Sequence, residues 1–145
     1  MDSFTGERLA PSAPPPAMKT DSGEQQRLKL FEEWLEYSVE REGFVVFSSM
    51  RDCYVQYSIS RDLLHGEVGT LTWEEIFGTP MPESVGRQLV QKGYTAPTAE
   101  GEVNYWQVFH RRDPRSEAAL TEWAFREVFG EERNYNVKVA DVDFE

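Results

Sequence analysis

A chain of 145 residues with 39% hydrophobic and 13% aromatic residues has enough apolar material for one core in one domain, which excludes a disordered chain. Its formal charge of −11 works against phosphate backbones and anionic lipid surfaces, which attract clustered Lys and Arg, so neither nucleic acid nor membrane is an expected partner. The same charge supplies solubility and attraction for basic partners.

Residues 1–21 predict a tail, because Ala10-Pro11-Ser12-Ala13-Pro14-Pro15-Pro16 has no periodic apolar face and its prolines favour extended geometry. Met1 to Glu7 has neither the basic start nor the apolar core of a signal peptide, and no apolar run nears the roughly 20 residues that span a bilayer. The single cysteine, Cys53, excludes an internal disulfide framework. A cytoplasmic protein is expected.

Residues 22–145 predict one α+β domain. Ser22 and Gln25 have capping-box spacing, and Leu28, Phe31, Trp34, Leu35 and Val39 form one apolar stripe that stops at Gly43. Phe44 to Phe47 is apolar on both faces, as in a central strand. Cys53, Val55, Tyr57 and Ile59 alternate with Tyr54, Gln56 and Ser58, the mark of a strand with one buried face. Arg61-Asp62 predicts a turn into a third strand, Leu63 to Thr70, making an antiparallel meander.

Thr72 and Glu75 repeat the capping-box spacing ahead of one short helical turn, Trp73 to Phe77. A helix from Pro82 to Lys92, apolar at Val85, Leu89 and Val90, ends at Gly93. Asn104 to Arg111 alternates as a strand. Asp113 caps a last helix with Pro114 in its first turn, a face of Leu120, Trp123, Ala124, Glu127 and Val128, and a stop at Gly130. Tyr135 to Val142 alternates as a closing strand. The expected architecture is an antiparallel sheet of about five strands with three helices packed on it, in the order α-β-β-β-α-β-α-β.

No catalytic, cofactor-binding or metal-ligating set is found. His65 and Glu67 share a strand face, but two ligands fall short of the roughly four that structural zinc needs, and His110 stands apart. Cys53 shares its face with Val55, Tyr57 and Ile59 and reads as a small buried hydrophobe. Glu74-Glu75 and Glu131-Glu132 are sequential neighbours on solvated faces, unlike an acid–base pair across a cleft. Gly66 and Gly69, inside a strand pattern, predict a bulge or a close backbone approach.

The aromatic residues exceed what a small core needs, and rings of this kind favour protein interfaces. On the strand Tyr105 to His110, either Trp106 and Val108 or Tyr105, Gln107 and Phe109 face outward. Tyr105, Trp106, Val108, Phe109, Tyr54 and Gln56 are therefore the candidate partner-binding residues.

Tyr54-Val55-Gln56, Gly66-Glu67-Val68, Leu89 with Lys92-Gly93-Tyr94 and Pro97, Asn104-Tyr105-Trp106, and Ala118-Ala119 leading to Val128-Phe129-Gly130 together resemble the TY-Chap and YbjN-like group, fold relatives of the type III secretion chaperones. The resemblance covers residues 22 to 130. Gly93-Tyr94 stands where Gly-Trp is commoner in that group, and the strand-like end from Tyr135 extends past the group's usual limit. The resemblance implies a non-enzymatic, often homodimeric cytoplasmic domain that takes extended client segments on apolar patches or sheet edges.

The expected function is a chaperone-like or adaptor module that captures a partner protein, basic or extended, by an aromatic sheet face or edge. The alternative is an immunity protein that neutralises a toxin through acidic complementarity. An enzyme would need a cleft at His65 or His110.

Overall fold

The computed structural model describes residues 23–39, 43–60 and 63–143. The Pro-rich stretch, Ser22 and the Arg61-Asp62 turn lie outside them. The elements are α1 (Gly23–Val39), β1 (Gly43–Ser49), β2 (Tyr54–Ser60), β3 (Leu63–Val68), α2 (Trp73–Phe77), α3 (Glu83–Gln91), β4 (Tyr105–Phe109), α4 (Pro114–Trp123) with a terminal π turn (Ala124–Val128), and β5 (Val137–Asp143). This is an α+β fold with a five-stranded antiparallel sheet in the order β4-β3-β2-β1-β5. The closing strand joins the sheet beside β1, so the edges are β4 and β5. Among the described residues helices number four rather than three, because the short turn Trp73–Phe77 counts as a helix of its own.

Alternation decides the two faces of the sheet. Val45, Phe47, Val55, Tyr57, Ile59, Leu64, Val68, Val137 and Val139 point to the core, where Phe31, Trp34 and Leu35 of α1, Leu89 of α3, and Phe125, Val128 and Phe129 after α4 meet them. Phe31 packs edge-on to Phe47 at 4.8 Å, and Phe125 stacks against Phe31 at 6.0 Å. All the helices described contribute to this one core and lie on one side of the sheet.

Two glycines on β3 and just past it set close approaches, without a bulge. A Cβ on Gly66 would meet the rings of Tyr57 and Phe109 on the core side. One on Gly69 would collide with the ring of Tyr54, which lies across that backbone on the opposite face. At the β4 edge, Thr95 and Trp106 exchange backbone hydrogen bonds of 2.7 and 3.1 Å.

Several local expectations change. Thr72 has φ −93° and ψ 14°, and its side chain makes no capping bond, because that backbone is not the extended form that swings a hydroxyl over the first turn. Asp113 does cap α4, accepting from Ser116 N at 3.5 Å and Ser116 Oγ at 2.7 Å. Val90, expected on the buried side of α3, is 54% exposed. The buried positions of α3 are Gly86 and Leu89, and Gly86 lies against the Tyr105 hydroxyl.

The buried face of α4 is Glu117, Ala118, Thr121 and Glu122; of the predicted stripe, Ala124 and Val128 are buried in the π turn, while Leu120 and Trp123 are half-buried and Glu127 is exposed. Both buried glutamates are neutralised. Arg27 of α1 forks onto Glu122 at 2.9 and 2.7 Å, donates to the Tyr135 carbonyl at 3.0 Å, and lies over the Tyr135 ring. The Tyr135 hydroxyl donates to the same carboxylate at 2.8 Å. Arg112 pairs twice with Glu117 at 3.0 Å and donates to the Leu35 carbonyl at 3.2 Å.

Deleting one member of a buried pair leaves an uncompensated charge, at a cost of about 3–5 kcal/mol. Arg27→Ala is therefore expected to lower Tm on the order of 10 °C, which calorimetry would read. Arg27→Met combined with Glu122→Leu recovers most of that loss. If the double replacement melts no higher than the single one, the charge account is wrong.

Candidate partner-binding face

The outer face of the sheet is built by the other half of the alternation. Across β2, β3 and β4 the registers Gln56–Glu67–Trp106 and Ser58–His65–Val108 place these six side chains in two adjacent rows. Val46 of β1 faces Gln56 across the next ladder, and Phe44 faces Ser58. Trp106, Val108, Gln56 and Tyr54 thus share this face. Tyr105 and Phe109 do not: they point to the helix side, Phe109 toward Tyr57 at 6.2 Å and Tyr105 toward Gly86. Period-two geometry allows only one of the two sets to face out, and the buried rings of the core claim Tyr105 and Phe109.

The expectation of surplus aromatic surface is reduced accordingly. Tyr57, Trp73, Tyr94 and Phe129 are buried, and among the described residues the large apolar side chains that stand exposed are Met50, Leu63, Leu71, Val90 and Val103, none of them aromatic. On the outer face the rings are half-buried, with Trp106 stacked on His65 at 5.6 Å and 11°.

A polar network that sequence reasoning missed runs through the centre of this face. Glu67 Oε1 accepts from Asn104 Nδ2 at 2.9 Å and from Gln56 Nε2 at 3.3 Å, and Glu67 Oε2 lies 3.1 Å from His65 Nε2. Asn104 is 3% exposed. Its Nδ2 also donates to the Tyr54 hydroxyl at 3.1 Å, and its Oδ1 accepts from Leu71 N at 2.8 Å. One amide therefore ties β2, β3 and the loop before α2 to the start of β4. Nothing local marks such an asparagine, because its partners lie 33 to 50 residues away.

Two recesses open on the face and share His65 and Glu67. One, of about 350 Å³, is lined by Phe44, Gln56, Tyr57, Ser58, His65 and Glu67. The other, of about 290 Å³, lies between His65, Glu67 and Trp106 and the 101–104 segment. Glu102 on that segment accepts from Thr98 N at 3.0 Å and Ala99 N at 3.1 Å. The Ala99 N–H above all, then the Thr98 N–H, holds its carboxyl below the usual range. A larger groove of about 590 Å³ runs along α3 beside Tyr105, lined by Met81, Pro82, Gly86 and Val90. Its only charged groups, Glu83 and Arg87, sit 3.9 Å apart on a solvated turn. It offers shape without directed chemistry.

His65 and Glu67 do meet, as their shared face predicted, but among the described residues no group of three or more His, Cys, Asp or Glu could hold a metal ion. His110 is exposed and stands at the end of β4. Glu131, expected on a solvated face, is buried and pairs with Arg51 at 3.3 Å. Among the described residues no helix is long and apolar enough to cross a membrane. Comparison with protein-family models, with curated proteins and with solved structures finds no match.

Cys53 is fully buried, and burial pushes its thiol up to about 11 from an ordinary 9.0. At pH 8 the native protein is expected to resist a thiol-specific disulfide reagent and to react fully once unfolded in guanidinium. A folded value above the unfolded one adds stability below about pH 9 that is lost as pH rises toward 11. Rapid labelling of the native chain at pH 8 would contradict the buried placement.

Proposed function

We propose that this protein is a non-enzymatic binding module of the chaperone-like or adaptor kind, which takes an extended segment of another protein on the outer face of its sheet. The observation that carries the proposal is the one-sided packing: every helix described joins the core beneath the sheet, while Val46, Gln56, Ser58, His65, Trp106 and Val108 form the half-buried opposite face. A sheet face with alternating apolar and polar side chains is suited to an extended peptide, whose own side chains alternate with the same period.

The residues quoted for the TY-Chap and YbjN-like resemblance fall on these same elements, Tyr54-Val55-Gln56 on β2, Gly66-Glu67-Val68 on β3 and Asn104-Tyr105-Trp106 at β4. Client capture is what that resemblance implies for these elements. The charge of −11 favours a partner with a basic surface. An immunity role fits the same charge, and differs in that binding would abolish the activity of a toxin.

Ser58→Lys and Val108→Lys alter the outer face without touching the core. Each is expected to keep its Tm within about 3 °C of the parent, as surface substitutions do. Each is also expected to lose about tenfold or more of the affinity for whatever protein the parent chain binds, read by biolayer interferometry, a loss worth about 1.4 kcal/mol. Val90→Lys, in the α3 groove, serves as the control and should bind normally. Should Val90→Lys abolish binding while the two face variants bind normally, the partner sits on α3.

A further inference from the structure

We infer that the recess beside Trp106 is a seat for one cationic side chain, an arginine or lysine of the segment that lies on the sheet face; the inference rests on the function proposed above and specifies its partner. At about 290 Å³ the recess falls just under the roughly 300–1,000 Å³ of ordinary ligand pockets, which suits one side chain better than a free metabolite.

Its walls have the chemistry a cation requires. Trp106 presents an indole held parallel to His65 at 5.6 Å, and indole faces attract guanidinium and ammonium groups. Two carboxylates line the same recess, Glu67 from β3 and Glu102 from the loop. Glu67 accepts from the neutral amides of Gln56 and Asn104 and lies 3.1 Å from His65 Nε2, and among the described residues no lysine or arginine pairs with it. Glu102 is fixed by two backbone N–H groups and, among the described residues, pairs with no lysine or arginine. Neither outer-face recess is lined by a lysine or arginine.

The contrast within the molecule is informative. The buried carboxylates Glu117, Glu122 and Glu131 each have an internal arginine. Glu67 and Glu102 line the recess beside Trp106 without one. A bidentate guanidinium from outside would supply the missing charge and stack on the indole together.

The test uses the full chain, labelled with ¹⁵N, and two terminally blocked hexapeptides. One is Thr-Val-Arg-Val-Thr-Val; the other carries citrulline, a neutral group of the same shape, in place of arginine. The Trp106 indole N–H signal, identified by its absence in Trp106→Phe, reports binding. The arginine peptide is expected to bind about tenfold more tightly than the citrulline peptide, as charge-assisted bonds do over neutral ones. Glu102→Gln, or 0.5 M salt, should shrink that preference to about twofold.

Equal affinity for the two peptides, or an arginine preference that survives in Glu102→Gln, overturns the cationic seat. If both peptides move Trp106, Val108 and Gln56 equally, the face still binds extended chains and only the seat falls. If neither moves them, the face and the seat fall together. If these signals shift with the protein's own concentration before peptide is added, the occupant is a second copy, and the inference is again overturned.

Discussion

Burying two carboxylates on one helix is the constraint around which this fold is organised. A lone buried glutamate would be unaffordable, so α4 can dock only where arginines from elsewhere meet it. Arg27 brings α1 to Glu122 and holds the Tyr135 segment ahead of β5; Arg112 brings the α1 carbonyl of Leu35 to Glu117. Between them, Thr121 donates to the Glu117 carbonyl and so accepts from the Tyr57 hydroxyl at 2.6 Å, fastening the same helix to the middle of β2. Burial holds that phenol well above its ordinary range, so it stays a donor. Helix pair, central strand and closing strand are thereby fixed to each other on one side of the sheet.

The outer face follows from that arrangement. With the helical mass committed beneath, the outward half of each strand is free to carry chemistry that packing does not dictate. Polar and apolar groups accordingly mix there, in Gln56, Ser58, His65 and Glu67 beside Val46, Trp106 and Val108. The internal network around Asn104 keeps the polar members in fixed positions, and under the function proposed above an incoming segment would meet a prearranged surface and lose less freedom on binding.

Much of the architecture was legible because it rests on local rules. Period-two alternation marked β2 and β5, apolar runs marked β1, and Asp113-Pro114 and Gly130 bracketed the last helix. What escaped depended on distant partners. The face of α4 was misassigned because hydrophobicity alone ranks Leu120 and Trp123 above Glu117 and Glu122, and only Arg27 and Arg112 reverse that order. The π turn after Trp123, closed by Phe129 N on the Ala124 carbonyl at 3.1 Å, swings Phe125, Val128 and Phe129 inward together, and no residue pattern announces it. At the outer face, alternation narrowed β4 to two sets of residues, and the core chose between them. The Asn104 network was invisible because the alternation reads Asn104 only as the head of the β4 pattern, and its partners lie 33 to 50 residues away.

The backbone exchange between Thr95 and Trp106 has a bearing on how such a protein survives at high concentration. Unpaired strand edges are templates on which other chains nucleate amyloid-like growth. At the β4 margin one outward rung is already filled from within, beside the most recognisable ring of the outer surface. Contact there is steered toward side chains and away from indiscriminate main-chain zipping. The filled rung leaves fewer free main-chain groups at that margin for another strand to pair with.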